Sequence, residues 1–188
     1  MIHAVLLHPH FVYGGDQDNR VISAIHDRLT GSPVTPHRFT FSSPAGTIAR
    51  AEALAQVEAC DGPVVLVGYS FGGEIAAQID HPAVVGWALI APALVLPQFV
   101  SPASPLRPPP EPPIGADPRP KLVVTAGRDA WFGADVLGPL TSGWAACTER
   151  TLPDADHFFS ATTGQVADLV TEWVVTRATD ILTRSLST

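Results

Sequence analysis

Ser70 stands at the centre of Gly68-Tyr69-Ser70-Phe71-Gly72, a G-x-S-x-G string preceded by the apolar run Val64 to Val67 and followed by Gly73. Such a serine, displayed on a sharp turn from strand to helix, takes a strained backbone conformation, and the residues two before and two after it must be small for the chains to pass. Gly68 and Gly72 meet that need, and Gly73 eases the helix onto the sheet. The turn also puts the backbone N–H of Phe71 near a helix amino terminus, where it can stabilise an oxyanion. The alternative is a glycine-rich turn in which Ser70 only caps a helix. The glycines are not spaced as G-x-G-x-x-G and no Gly-Lys-Ser/Thr follows, so the turn is not a phosphate cradle.

A serine hydroxyl is a weak nucleophile near neutral pH and needs a histidine to take its proton, with a carboxylate to orient that histidine. The apolar run Leu122 to Thr125 leads into Ala126-Gly127-Arg128-Asp129, which makes Asp129 the leading acid. Thr148 to Leu152 leads into Pro153-Asp154-Ala155-Asp156-His157-Phe158-Phe159, which makes His157 the leading base. Ser70, Asp129 and His157 thus fall in order at three strand ends, a coincidence much harder to obtain than one motif. Asp135, Asp154 and Asp156 are rivals for the acid. Asp135 lies deeper in the next segment, and the other two adjoin His157, where they suit local hydrogen bonds that fix its loop.

These positions require a particular scaffold. Ala4 to Leu7 is a short all-apolar run and reads as a first strand ending near His8. Val21, Ile22, Ile25 and Leu29 recur at helical spacing, with Asp16 or Asp18 to cap the start and Gly31 to stop the end. His37 to Phe41 alternates as a strand does; Ile48, Ala51, Leu54 and Val57 repeat every three residues as a helix before Asp61-Gly62. Val64 to Val67 is the third strand, with a helix over Glu74 to Ile79. Val84 to Ile90, Leu122 to Thr125 and Thr148 to Leu152 supply three more strands, and Val166, Leu169, Val170, Trp173 and Val174 mark a closing helix. Alternation of this kind calls for an α/β fold, a parallel sheet with helices on both faces.

Residues 92–120 break the rhythm, with eleven prolines in twenty-nine positions, and favour stiff extended chain. The segment reads either as a surface connection or as a lid over the carboxyl ends of the strands.

The length of 188 residues suits one domain spanning residues 1–188. Apolar residues at 46% and charged residues at 15% exclude disorder and a coiled coil. A formal charge of -7 gives no footprint for a phosphate backbone or an anionic membrane, so neither is an expected partner. Met1 to Leu7 has no Lys or Arg ahead of its apolar run, against a secretory signal. The longest apolar stretch, Ala83 to Pro97, spans fifteen residues, short of the roughly 20 needed to cross a bilayer. Cys60 and Cys147 lie far apart and form no disulfide framework or metal-type spacing, which suits a reducing cytoplasm.

Three segments carry a resemblance: His8-Pro9-His10-Phe11 after the first strand, Gly68 to Gly73, and Ala155-Asp156-His157-Phe158-Phe159. The chain resembles the α/β-hydrolase superfamily over nearly its whole length, most of all its small, cap-less, dienelactone-hydrolase-like members. That group commonly carries His-Pro-His-Pro at the first segment, and this chain departs from it at Phe11. The resemblance implies a sheet in the order 2-1-3-4-5-6, without the two amino-terminal strands of larger members. It also implies a second oxyanion donor in the loop after the first strand. Pro9 has no N–H, which points to the backbone of His10, with Phe11 as the alternative.

The expected chemistry is hydrolysis of a small carboxylic ester through an acyl-enzyme on Ser70, with a thioester as second choice and no metal or organic cofactor required. A binding or scaffold protein that keeps the fold without turnover is the alternative from another class, and the Pro-rich segment is its one support. Phe11, Tyr69, Trp131 and Phe158 are candidate substrate contacts, though aromatics beside strand ends also simply pack the core. Phe71, Phe132 and Phe159 flank the same place. His8, His10, Asp16 and Asp18 cluster like metal ligands, but no complete metallohydrolase signature surrounds them. His3, His26, His37 and His81 belong to no constellation in the sequence and read as surface or structural residues.

Overall fold

A computed structural model describes residues 1–96 and 109–185. Six strands form one parallel sheet in the order β2-β1-β3-β4-β5-β6. They are β1 (Ile2–Leu7), β2 (Val34–Arg38), β3 (Val64–Tyr69), β4 (Val84–Ile90), β5 (Lys121–Ala126) and β6 (Cys147–Leu152). The helices are α1 (Arg20–Leu29), α2 (Gly46–Glu58), α3 (Phe71–Ala77), α4 (Ala134–Thr141) and α5 (Thr163–Ser185). Among the described residues no separate cap stands over the sheet, and no helix is long and apolar enough to cross a membrane.

Strand side chains alternate between faces, so one apolar run feeds two cores. Ala4, Leu6, Val65, Val67, Ala88, Ile90 and Val124 pack under α1 and α5, against residues such as Ile22, Ile25, Val170 and Val174. Val5, Leu7, Leu66, Trp87, Leu89 and Val123 pack under α2, α3 and α4, against Ala53, Val57, Ile75 and Leu137. The central strands, covered on both faces, are therefore apolar throughout, whereas β2 and β6 are edges. Pro36 is tolerated in β2, and Glu149 with Arg150 in β6 keeps that edge hydrophilic.

Several local expectations shift. Asn19, not Asp16 or Asp18, caps α1 by accepting from the Val21 N–H at 3.1 Å. Asp16 accepts instead from the Asp18 N–H, and Asp18 pairs with Arg38. The second strand lies over Val34–Arg38 rather than His37 to Phe41, because pairing with β1 ends at Leu6 opposite Arg38. α2 buries Ala49, Ala53 and Val57, spaced by four, and leaves Ile48 46% exposed; the small alanines let the helix approach the sheet. α3 starts at Phe71, directly after Ser70, and ends at Ala77, earlier than its apolar pattern suggests. α4 carries Pro139 beyond its first turn, where the missing N–H removes one backbone hydrogen bond and makes the segment look broken in sequence.

Within residues 92–120, Ala93 N–H donates to the Ser70 carbonyl and the Pro110 carbonyl accepts from Gln78, so both flanks are tied to the α3 region. A short 3-10 turn at Pro113–Ala116 buries Ile114 in the second core. The rest of this segment, read as a surface connection or a lid, covers residues 97–108 and lies outside the described residues.

α3 crosses the ends of β1 and β3 at van der Waals limit. A Cβ at Gly68 would lie 2.2 Å from the Gly72 carbonyl oxygen, and one at Gly72 would lie 2.2 Å from that of Leu7. Both neighbours are backbone and cannot step aside. Gly68→Ala and Gly72→Ala should each lower the stability to urea by on the order of 1–3 kcal/mol or more. A midpoint unchanged from wild type would show that the crossing is looser than this.

Candidate active site

β3, β5 and β6 end at the same edge of the sheet, with β4 between the first two, and each hands over one polar side chain. Ser70 follows β3 with φ 53° and ψ -112°, a strained conformation for a residue with a side chain. Three hydrogen bonds hold it: its N–H donates to the Ile90 carbonyl at 2.8 Å, and its carbonyl accepts from Glu74 at 3.1 Å and Ala93 at 3.0 Å. Asp129 lies three residues beyond β5, and His157 five beyond β6.

The three meet in space. Ser70 Oγ lies 3.3 Å from His157 Nε2, and His157 Nδ1 lies 2.7 Å from Asp129 Oδ2. All three residues are buried, with 6–7% exposure. Asp129 is acceptor-only when ionised, so His157 Nδ1 carries the proton toward it and Nε2 presents its lone pair to the Ser70 hydroxyl. Asp129 Oδ1 accepts from the N–H groups of Trp131 at 2.8 Å and Phe132 at 3.1 Å, which fixes the carboxylate. The rival acids are placed elsewhere. Asp154 pairs with Arg128, Asp156 accepts from the Ser160 N–H at 2.9 Å, and Asp135 is an exposed residue of the first turn of α4.

The histidine loop is pinned from two sides. Tyr69 donates its hydroxyl to the His157 carbonyl at 2.7 Å, and burial pushes the Tyr69 phenol well above its ordinary range, so it stays a donor. Arg20 donates to the Phe158 carbonyl at 3.1 Å and to Ser160 Oγ at 2.8 Å. Around the imidazole stand Trp131, with ring centres 4.6 Å apart, and Phe132 and Phe158, each at 5.4 Å. Tyr69 is only 2% exposed, whereas Phe158 is exposed on the rim. Tyr13, absent from the sequence-based candidates, joins that rim 5.2 Å from Trp131. A cavity of about 410 Å³ opens beside it, lined by Tyr13, Asp16, Asp18, Arg20, Tyr69 and Phe158 among others.

The loop after β1 faces Phe71. His10 packs edge-on against the Phe71 ring at 5.4 Å, and the 3-10 turn Phe11–Tyr13 follows it. His10 Nδ1 accepts from the Val12 N–H at 3.3 Å, and the His10 carbonyl accepts from Tyr13 and Gly15. Phe11 lies against His8, with ring centres 5.2 Å apart.

His8 organises this loop, a role that spacing could not reveal. It is fully buried; Nδ1–H donates to the Pro9 carbonyl at 2.6 Å, and Nε2 accepts from the Phe41 N–H at 2.9 Å. Both ring nitrogens are thus occupied, which leaves no lone pair for a metal beside His10, Asp16 and Asp18. Burial lowers the His8 pKa and keeps the ring neutral, the form these partners require.

The sequence matches the model of the alpha/beta hydrolase family over residues 5–186, and the chain belongs to that family. Membership supports a hydrolase. No curated protein matches the sequence. Solved structures share the fold at low identity. One is a protein of unknown function from Agrobacterium tumefaciens, 22% identical, with a TM-score of 0.75 over 95% of this chain and 86% of that one. Another is Est1E from Butyrivibrio proteoclasticus with ferulic acid bound, 14% identical, with a TM-score of 0.75 over 95% and 90% of the two chains. A third is a serine hydrolase without a lid from Xanthomonas campestris, 18% identical, with a TM-score of 0.67 over 89% and 78%.

His8 makes stability pH-dependent with a defined sign. Its folded pKa is lowered from 6.5, so its contribution is complete above 6.5 and is lost as pH falls through 6.5 toward the folded value. Urea unfolding between about pH 7 and pH 5 should lose stability more steeply in wild type than in His8→Gln. Parallel pH curves for the two proteins would remove His8 from this account.

Proposed function

We propose that this chain is a serine hydrolase that cleaves a small carboxylic ester through an acyl-enzyme. The observation that carries the proposal is the continuous hydrogen-bonded line from Ser70 Oγ through the His157 ring to Asp129, at the carboxyl ends of one parallel sheet. His157 Nε2 takes the Ser70 proton as Oγ attacks the ester carbonyl, and Asp129 stabilises the imidazolium that forms. The distance of 3.3 Å is long for this bond and is expected to tighten when substrate binds. Backbone N–H groups of Phe71 and His10 hold the oxyanion; the packing of the His10 ring on Phe71 supports their proximity. The imidazolium returns its proton to the leaving alkoxide. Water, deprotonated by the same histidine, then attacks the acyl-enzyme and frees the acid and Ser70.

In this proposal Trp131 and Phe158 contact the substrate at the rim, Phe11 borders it from the β1 loop, and Tyr69 positions the histidine loop through its hydroxyl. The ferulic acid bound to Est1E is a carboxylic acid of the product class such a site would release. The mechanism needs no metal or organic cofactor.

A fluorophosphonate probe should label wild type and leave Ser70→Ala unmarked; labelling that survives the substitution would exclude Ser70 as the reactive serine. Turnover of short p-nitrophenyl esters should fall by about 10⁶-fold in Ser70→Ala or His157→Ala and by about 10⁴-fold in Asp129→Asn. Full activity in Asp129→Asn would move the acid elsewhere. Probe labelling without turnover on any ester or thioester would favour a scaffold function.

A further inference from the structure

His3, His37 and Cys60 are unrelated by sequence spacing, yet the sheet brings them together. His3 is the second residue of β1, His37 lies on the neighbouring β2, and Cys60 follows α2. One potential ligand atom from each lies within 4.8 Å of the other two. His3 is 5% exposed, and both its ring nitrogens are engaged: Nε2 with Asp61 Oδ1 at 2.8 Å and Nδ1 with His37 Nε2 at 2.9 Å. The acceptor-only Asp61 carboxylate assigns the His3 proton to Nε2, which leaves the Nδ1 lone pair facing His37 and Cys60.

We propose that His3 Nδ1, His37 Nε2 and the Cys60 thiolate form a binding site for a borderline-soft divalent cation, Zn²⁺ foremost. Two imidazoles and a thiolate are the donor set such an ion prefers, and three protein ligands leave a fourth, tetrahedral position for water. Asp61 stands where ligating histidines usually find a carboxylate: it receives the outer N–H, fixes the tautomer and raises the basicity of the inner nitrogen. Burial lowers the His37 pKa, so that ring is neutral and able to coordinate. Cys60 now donates its S–H to the Gln56 carbonyl at 3.3 Å, and burial pushes its pKa up. Binding therefore releases one proton, from Cys60 to solvent, as the S–metal bond forms. His37 keeps its single proton by carrying it on Nδ1.

The fit requires the two imidazole nitrogens to part slightly and Cys60 Sγ, within 4.8 Å of both, to leave the Gln56 carbonyl and settle about 3.6 Å from each. Tetrahedral ligands about 2.0–2.1 Å from zinc stand about 3.3 Å apart, so the two imidazole nitrogens must separate by a few tenths of an ångström. His37 is on an edge strand and half-buried, which gives its side chain that freedom. The ion would join β1, β2 and the α2–β3 connection at the opposite end of β1 from His8. Five residues of strand, about 16 Å, separate it from the proposed catalytic end. It is therefore independent of the esterase proposal.

The test is titration of tag-free, phosphine-reduced protein with CoCl₂ and then ZnCl₂. One equivalent of Co²⁺ should give a thiolate-to-cobalt charge-transfer band that Zn²⁺ bleaches. Cys60→Ser should lose the band, Asp61→Asn should weaken affinity about 10–100-fold, and His37→Gln should weaken it further. Zn²⁺ should raise the melting temperature of wild type and of Ser70→Ala, but not that of His37→Gln. Absence of the band in wild type, or affinity undiminished in His37→Gln and Asp61→Asn, overturns the site. If Cys60→Ser does not fold, the two histidine-side variants still decide the question.

Discussion

The structure depends on one backbone crossing. The first turn of α3 passes over the ends of β1 and β3 so closely that only Gly68 and Gly72 fit, and this contact turns the chain sharply enough to hold Ser70 at φ 53°. Strain of that kind costs about 1–3 kcal/mol and persists only where the surroundings over-determine it. Here they do: Ile90 accepts from the strained residue, while Glu74 and Ala93 donate to it, which ties the turn to β4, α3 and the segment after β4. The hydroxyl is projected beyond the sheet because the backbone beneath it cannot relax.

Once Ser70 is fixed, the other two side chains must reach it from loops, which Phe132, Ala155 and Phe159 anchor in the two cores. Their precision comes from hydrogen bonds that cross the fold. Tyr69 holds the His157 carbonyl, two backbone N–H groups hold Asp129, and Arg20 holds the loop beyond His157. The groups of Tyr69, Asp129 and His157 are buried, where polar groups are costly when unpaired, so bonds that satisfy them also select one arrangement. The two oxygens of Asp129 divide the work, one receiving the backbone and the other the imidazole.

The sequence made the scaffold and the polar trio legible because each rests on local signals. Apolar runs mark strands buried on both faces, and Ser70, Asp129 and His157 each follow such a run or a weaker strand within a few residues. What escaped was set by distant partners. His8 is bonded to Phe41, Tyr69 to His157 and Arg20 to Ser160 across 33, 88 and 140 residues, and no periodicity encodes those pairs. Pro139 masked α4, because proline near the end of a short helix looks like a break in sequence. The buried face of α2 departs from its apolar pattern: large Ile48 marks the core side in sequence, whereas close packing on the sheet selects Ala49 and Ala53. His3 and His37 seemed solitary because only the parallel pairing of β1 with β2 makes them neighbours.

Three histidines then show how one residue type acquires different chemistry from its partners alone. Each has one ring nitrogen committed to an oxygen acceptor, which decides what the other can do. His157 gives Nδ1–H to Asp129 and turns its Nε2 lone pair toward a hydroxyl. His8 gives Nδ1–H to the Pro9 carbonyl, and its Nε2 accepts a buried backbone N–H, a closed pairing with nothing left to react. His3 gives Nε2–H to Asp61 and directs Nδ1 toward a second imidazole and a thiol. A carboxylate behind the ring and an incompletely bonded atom in front are common to the first and third, whereas His8 has a neutral carbonyl behind and a fixed donor in front. That difference in what faces the free nitrogen separates the proposed proton acceptor and the proposed metal ligand from a purely structural bridge.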